Sequence, residues 1–166
     1  VKVLPLAGTL QPGAFQIVTF EFDNSAALGQ YRDTIFAESA QGSEPLYLDF
    51  RVVCPDPVWN LNREGFSFSM NMTLELNIDG VVSTDDRDIV GAFIGRELRG
   101  LGRVQYNQEL KKHLVFMTVY SNVSSGDTVK FQVWDASACK LYGKTIESFK
   151  FEPDGLVGSP FQSQVL

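Results

Sequence analysis

The stretch FSFSMNMTLELNI, residues 66–78, alternates apolar and polar side chains over its whole length. This pattern is typical of a β-strand with one face on a core and the other in solvent, because successive side chains of a strand point to opposite faces. No segment of the sequence has the 3.6-residue period of a convincing amphipathic helix. The stretch therefore predicts an all-β fold.

Further strands are predicted on both sides of this stretch, with turn residues between them at near-regular spacing. The predicted strands are residues 14–22, 31–38 and 46–53 before it, and residues 89–94, 99–106, 114–120, 128–134, 145–151 and 160–166 after it. Residues 114–120 are apolar on both faces, which indicates a central strand. Many short strands with regular turns indicate a sandwich or barrel.

Pro55-Asp56-Pro57 interrupts the strand pattern and marks a predicted domain boundary. Two prolines in three residues cannot continue a central strand, and they stiffen a linker. We predict that residues 1–54 are the closing strands of an immunoglobulin-like sandwich, 55–63 a linker and 64–166 a second β-sandwich. The first unit lacks its opening strands, so we expect it to be completed from elsewhere, since an open edge and a bare apolar face must be covered.

Composition excludes several classes of protein. The chain has 166 residues and a formal net charge of −6, so no basic patch is available for nucleic acid or an anionic membrane. Its apolar runs are too short to span a bilayer. The sequence opens at Val1 without a signal peptide, which we interpret as a processed or excised piece of a longer product. The glycine spacings fit neither a P-loop nor a dinucleotide site, and no cofactor is predicted.

The N-terminal half resembles the closing strands of the ASH/MSP-like branch of immunoglobulin folds. The matching residues are Leu10-Gln11-Pro12-Gly13, Val18-Thr19-Phe20 and the run 29–34, GQYRDT. The resemblance covers about a third of the chain. That family consists mainly of assembly and scaffolding modules, so the resemblance implies an architectural role without catalysis.

The C-terminal half resembles a module repeated in very large secreted or surface proteins of microbes. The matching stretches are residues 88–95, DIVGAFIG, residues 98–100, LRG, and residues 133–137, VWDAS. That module commonly carries a cysteine where Leu98 stands here. The resemblance implies an extracellular or cell-surface location and a repeated architecture.

The sequence contains two cysteines, Cys54 and Cys139. In a cytosolic protein they would be buried thiols, whereas in a secreted one an even count suggests a bridge. We favour a Cys54–Cys139 disulfide, which would pin the linker to the second sandwich.

Two N-x-S/T sequons are candidate sites of N-linked glycans if the source is a eukaryote, at Asn71 on the polar face of the clearest strand and at Asn122 at a hairpin end, although so short a pattern also arises by chance. Four carboxylates near one turn are weak candidates for Ca²⁺, and a solvated acidic loop is the favoured interpretation because their spacing matches no EF-hand. The four are Asp79, Asp85, Asp86 and Asp88.

An enzyme is the least favoured class. His113 is the sole histidine and lies in a polar loop, so neither a histidine-based zinc site nor a Ser-His-Asp arrangement is expected. Five aromatic residues could form a sugar-stacking platform, but ordinary packing roles are favoured because large aromatics usually serve the core. The five are Trp59, Trp134, Tyr106, Tyr120 and Tyr142.

These features predict a structural module of an extracellular fibre, stalk or adhesin that assembles head to tail by strand complementation. Its expected partners are identical copies or neighbouring modules of the same polypeptide. The alternative is a carbohydrate- or protein-binding module of a large secreted protein. The candidate donor strand is the terminal segment Pro160, Phe161, Gln162, Ser163, Gln164, Val165 and Leu166.

Overall fold

The computed structural model describes residues 2–22, 26–143, 145 and 147–166. It confirms the all-β prediction: the described residues form β-strands and turns, without an α-helix. The chain divides into two compact units, Val1–Val53 and Cys54–Leu166. The division lies one residue before the predicted end of the first domain.

The first unit contains two separate two-stranded sheets. Strand β1 (Lys2–Leu4) pairs antiparallel with β2 (Thr19–Glu21). Strands β3 (Gly29–Ser39) and β4 (Gly42–Val52) form a long antiparallel hairpin that pairs without interruption from Gly29↔Val52 to Ser39↔Gly42. The predicted strand over 14–22 is therefore limited to its last part, because residues 14–18 have no strand partner in the described chain.

The second unit is built on one nine-stranded sheet and one small hairpin. The sheet strands are β5 (Phe68–Glu75), β8 (Ile89–Ile94), β9 (Glu97–Asn107), β10 (Lys112–Ser121), β11 (Thr128–Asp135), β12 (Lys140–Tyr142), β13 (Ser148–Lys150), β14 (Leu156–Val157) and β15 (Gln164–Val165). The hairpin pairs β6 (Asn77–Ile78) with β7 (Val81–Val82) through the turn Asp79-Gly80. Both turn residues have positive φ, as a two-residue hairpin turn requires.

The strand order in the large sheet is β12-β11-β8-β9-β10-β5-β14. Strand β13 pairs with β11 beside the region that β12 covers, and β15 pairs with β5 beyond β14. Each side of the sheet therefore ends in two very short strands, which leave little free backbone for unwanted pairing. Strand β10 lies between β9 and β5, in agreement with its predicted central position.

The core lies against one face of this sheet. Alternate residues of β5, β8, β10 and β11 belong to a single buried cluster, so the sheet must curve around them. Phe151 and Leu166 complete the cluster from outside these strands. The fully buried members are Met70, Met72, Leu74, Leu76, Val90, Ala92, Val104, Val115, Val119, Val129, Phe131, Val133 and Phe151.

Residues 54–63, which we call the strap, pack onto the other face of the sheet. Trp59 makes an edge-on contact with Phe93 of β8, with ring centroids 5.8 Å apart. Asp56 forms an ion pair with Arg103 of β9. The segment predicted as a linker thus belongs to the second unit, because these contacts hold it against the sheet.

Candidate functional site

The β3–β4 hairpin has one apolar face. The registered pairs Tyr31–Phe50 and Ile35–Leu46 lie on this face, and between them Leu48 pairs with Asp33, a charged residue on the same face. None of the described residues 2–22 and 26–53 is buried, and Leu46 remains 48% exposed. The apolar face of the hairpin is therefore partly exposed to solvent among the described residues.

A small aromatic group covers only the base of this face. The rings of Tyr31 and Phe50 stack with centroids 5.4 Å apart, and Phe22 tilts against Phe50 at 4.3 Å. These contacts leave the distal half of the face, around Ile35 and Leu46, without an aromatic cover among the described residues. Three rings form too small a cluster to replace a second sheet layer.

The opposite face of the hairpin is polar near its base. Asp49 accepts hydrogen bonds from the Gln30 amide at 2.8 Å and the Arg32 guanidinium at 3.2 Å. The Gln30 hydrogen bond, and after it the charge of Arg32, lower the pKa of the Asp49 carboxyl. The hairpin thus has one face that is polar near its base and an opposite face that is mainly apolar.

The terminal segment predicted as the donor strand is already paired within the second unit. Gln164 and Val165 pair in parallel with β5, and the backbone of Leu166 bonds to both Glu75 and Asn77. Leu166 is also buried in the core. Donation of this segment to another chain would first have to break these contacts.

The cysteine pair expected from the sequence lies at disulfide distance. Cys54 and Cys139 are joined, with their Cα atoms 5.6 Å apart. Cys54 is buried at the start of the strap, and Cys139 lies in the turn between β11 and β12. The bond therefore fixes the beginning of the strap to one edge of the sheet.

The candidate calcium ligands are engaged in separate contacts. Asp79 accepts a hydrogen bond from the Tyr142 hydroxyl at 2.9 Å, whereas Asp85 forms a two-point ion pair with Arg87. Asp86 is exposed. In the part of the chain that the structure describes, no three His, Cys, Asp or Glu side chains are grouped to hold a metal ion.

Asp88, the fourth candidate, is buried and serves a different role. Its carboxylate accepts hydrogen bonds from the Ser83 hydroxyl at 2.5 Å and the Ala136 amide at 2.8 Å, and its carbonyl accepts one from Val104. Burial raises the pKa of the Asp88 carboxyl, while the two hydrogen bonds oppose this effect. Asp88 therefore joins three segments of the second unit at one point.

The two sequons lie in different surroundings. Asn71 is exposed on β5, on the face opposite the core, and its amide oxygen accepts a hydrogen bond from Thr118 at 2.8 Å. Asn122 follows β10, and its amide oxygen accepts a hydrogen bond from the Ser67 amide at 2.9 Å. Both asparagines are exposed at the surface, in agreement with their predicted positions.

The five aromatic residues considered as a sugar platform are dispersed. No ring of the five stacks on another of the five within the described residues, and four of them contact a different side chain. Trp59 contacts Phe93, Tyr106 contacts His113, Tyr120 contacts Phe66, Lys140 lies over Tyr142, and the Trp134 indole nitrogen is buried without a hydrogen-bond partner in the described chain.

An open groove next to Asn71 was not foreseen from the sequence. It has a volume of about 360 Å³ and lies between Leu61 and Arg63 of the strap and the outer residues Leu101 and Phe116 of the sheet. The sequence feature that could have indicated this packing is the pair Trp59 and Leu61 within the predicted linker, since alternating large apolar residues are unusual in a solvated segment.

Comparisons of the chain with family models, with curated proteins and with solved structures find no match. No helix of the length and apolarity needed to cross a bilayer occurs in the described residues.

Proposed function

We propose that this chain is a structural module of an extracellular fibre, stalk or adhesin, in which neighbouring modules or identical copies complete the first unit. The supporting observation is the contrast between the two units. The second unit buries a continuous core, whereas the described part of the first unit buries no residue. A two-stranded hairpin is at best marginally stable by itself in water, so the first unit needs added strands.

The exposed side chains of the first unit support the same proposal. Besides the hairpin face, large apolar residues stand in solvent ahead of β2, where Phe15 is 87% and Ile17 74% exposed. These two residues alternate with Gln16 in a segment without a strand partner in the described chain. An added strand would satisfy the free backbone groups and cover the apolar side chains together.

The disulfide supports an extracellular location. Structural disulfides persist in oxidising compartments and are rare in the cytosol. The Cys54–Cys139 bond joins the start of the strap to the turn between β11 and β12, which is a structural position.

A charge placed on the apolar face tests this function. Leu48→Lys should abolish association of the purified chain, because an added layer would have to desolvate the lysine together with Asp33, its partner in the register. Tyr47→Lys is the matched control: Tyr47 is the adjacent residue, points to the other face and is 76% exposed. Light scattering and electron microscopy should show ordered assemblies for the wild type and for Tyr47→Lys, and monomers for Leu48→Lys.

The contradicting result is equally specific. If the wild-type chain is monomeric at every concentration and Leu48→Lys unfolds its first unit, as a core substitution would, then the first unit is complete within the chain. The module would then have no strand acceptor, and the proposed assembly role would fail.

A further inference from the structure

The groove beside Asn71 has the chemical character of a carbohydrate site. Phe116 is 38% exposed, and Leu61 and Leu101 line the same groove with apolar side chains. Arg63 and Thr118 are polar residues that line the same groove. A sugar ring has an apolar C–H face and polar edges, so an aromatic ring with a few polar groups around it suits a sugar.

Asn71 is part of the wall of this groove. In the β5–β10 register, Asn71 pairs with Thr118 and Thr73 pairs with Phe116. Phe116 is therefore the diagonal neighbour of Asn71 on the outer face, within reach of a group attached to the asparagine. Asn71 and Thr73, which define the sequon, both lie beside side chains that line the groove.

The orientation of the Asn71 side chain leaves its nitrogen free. Its Oδ1 atom accepts the hydrogen bond from the Thr118 Oγ1 atom, at 2.8 Å. Within the described residues, Nδ2 makes no hydrogen bond. Nδ2 is the atom to which an N-linked glycan is joined.

We propose that this groove is the seat of an N-linked glycan on Asn71, and that the first sugar packs against Phe116. Attachment forms a bond from Nδ2 to C1 of the sugar and breaks the C1–O bond of a lipid-linked sugar diphosphate. The amide gives up one proton, and the lipid diphosphate leaves. This inference rests on the extracellular location in the proposed function, since the reaction belongs to the secretory pathway.

Asn122 provides a natural comparison within the same chain. It lies in the turn that follows β10, and residues 122–126 are all exposed. A glycan at Asn122 would extend into solvent, whereas one at Asn71 would have the strap and the sheet on either side. The two sequons should therefore differ in their effect on stability even when both are occupied.

The test compares glycosylated protein from a eukaryotic secretory host with unglycosylated protein from bacteria. All proteins carry Leu48→Lys, so that association through the first unit does not affect the Tm of the second unit. A failure of the assembly proposal can then be distinguished from a failure of the glycan proposal. Peptide mapping by mass spectrometry establishes occupancy at each sequon. Thermal melting of the second unit is then measured after the glycans have been trimmed to a single N-acetylglucosamine.

We expect glycosylation to raise the Tm by about 4 °C. The gain should persist in Asn122→Gln and disappear in Asn71→Gln. Phe116→Ala should remove at least half of the gain, and Tyr106→Ala, which removes an exposed ring outside the groove, should retain it. Each variant is compared with its own unglycosylated form, so any direct effect on folding cancels.

Two results would overturn the inference. The first is an unmodified Asn71 in protein whose Asn122 is modified. The second is a gain in Tm that follows Asn122, or that Phe116→Ala leaves intact.

Discussion

Asp88 joins three segments of the second unit through one buried carboxylate. Removing the carboxylate in Asp88→Ala leaves the Ser83 hydroxyl and the Ala136 amide without their acceptor in a buried place. We expect this variant to lose about 2 kcal/mol in free energy of unfolding, a typical cost of unsatisfied buried polar groups. Urea unfolding measures it. Asp88→Asn retains an acceptor for Ala136 and should lose distinctly less.

The same residue gives the second unit a pH dependence. Because burial raises the pKa of Asp88 in the folded state, the folded protein holds this proton more tightly than the unfolded chain does. The contribution of Asp88 to stability is therefore complete below the usual aspartate pKa of about 4, and declines as the pH rises through the higher folded value. Asp88→Asn should remove this decline. A wild-type and a variant pH profile that run parallel would show that Asp88 does not cause it.

At the scale of strands, Gly102 shows how closely β9 approaches β10. A Cβ atom at this position would lie 2.6 Å from Val115 Cγ1 and 3.0 Å from the Phe116 carbonyl oxygen. Gly102→Ala should therefore cost about 1–3 kcal/mol through overpacking. Gly143→Ala is the control, since a Cβ atom there would have no neighbour within 4 Å.

Urea titrations followed by far-UV circular dichroism compare the two glycine variants. We expect a lower midpoint for Gly102→Ala and a midpoint within error of the wild type, or slightly higher, for Gly143→Ala. Equal midpoints for both variants would mean that β9 and β10 are less closely packed than the structure shows.

The strands also show which parts of the fold are encoded locally. The strand Ile89–Ile94 has the bounds that its residues predicted, because its apolar run is paired on both sides. Residues 66–78 were predicted as one strand but are divided into β5 and β6. The division occurs where the backbone of Leu166 bonds to Glu75 and Asn77. A contact between residues so distant in sequence leaves no trace in the local alternation.

The packing of the strap on the sheet and the groove beside Asn71 could not be predicted from the sequence, for a related reason. Pro55 and Pro57 correctly indicated that the strand pattern stops, but proline content does not reveal whether a segment lies in solvent or on a sheet. The contact between Trp59 and Phe93 decides that question. The sequon could be read directly, whereas its groove depends on Leu61 and Phe116 meeting across the fold.

At the scale of the whole chain, the two units differ in the interactions that stabilise them. The second unit has a buried apolar cluster, a disulfide and a sheet whose edge strands are very short. The described part of the first unit has two small sheets and exposed apolar residues such as Leu6 and Phe15. Local opening requires little free energy where few apolar contacts are buried, so the units should open independently and to different extents.

The dependence of the first unit on added strands is tested most directly by hydrogen exchange, read out by mass spectrometry. The purified chain is kept below the concentration at which it associates. We predict that amides of β3 and β4 exchange within seconds, while those of β5 and β8–β11 stay protected for hours. Association at higher concentration should then protect β3 and β4. Long-lived protection of β3 and β4 in the dilute monomer would contradict the account, because the first unit would then be stable by itself.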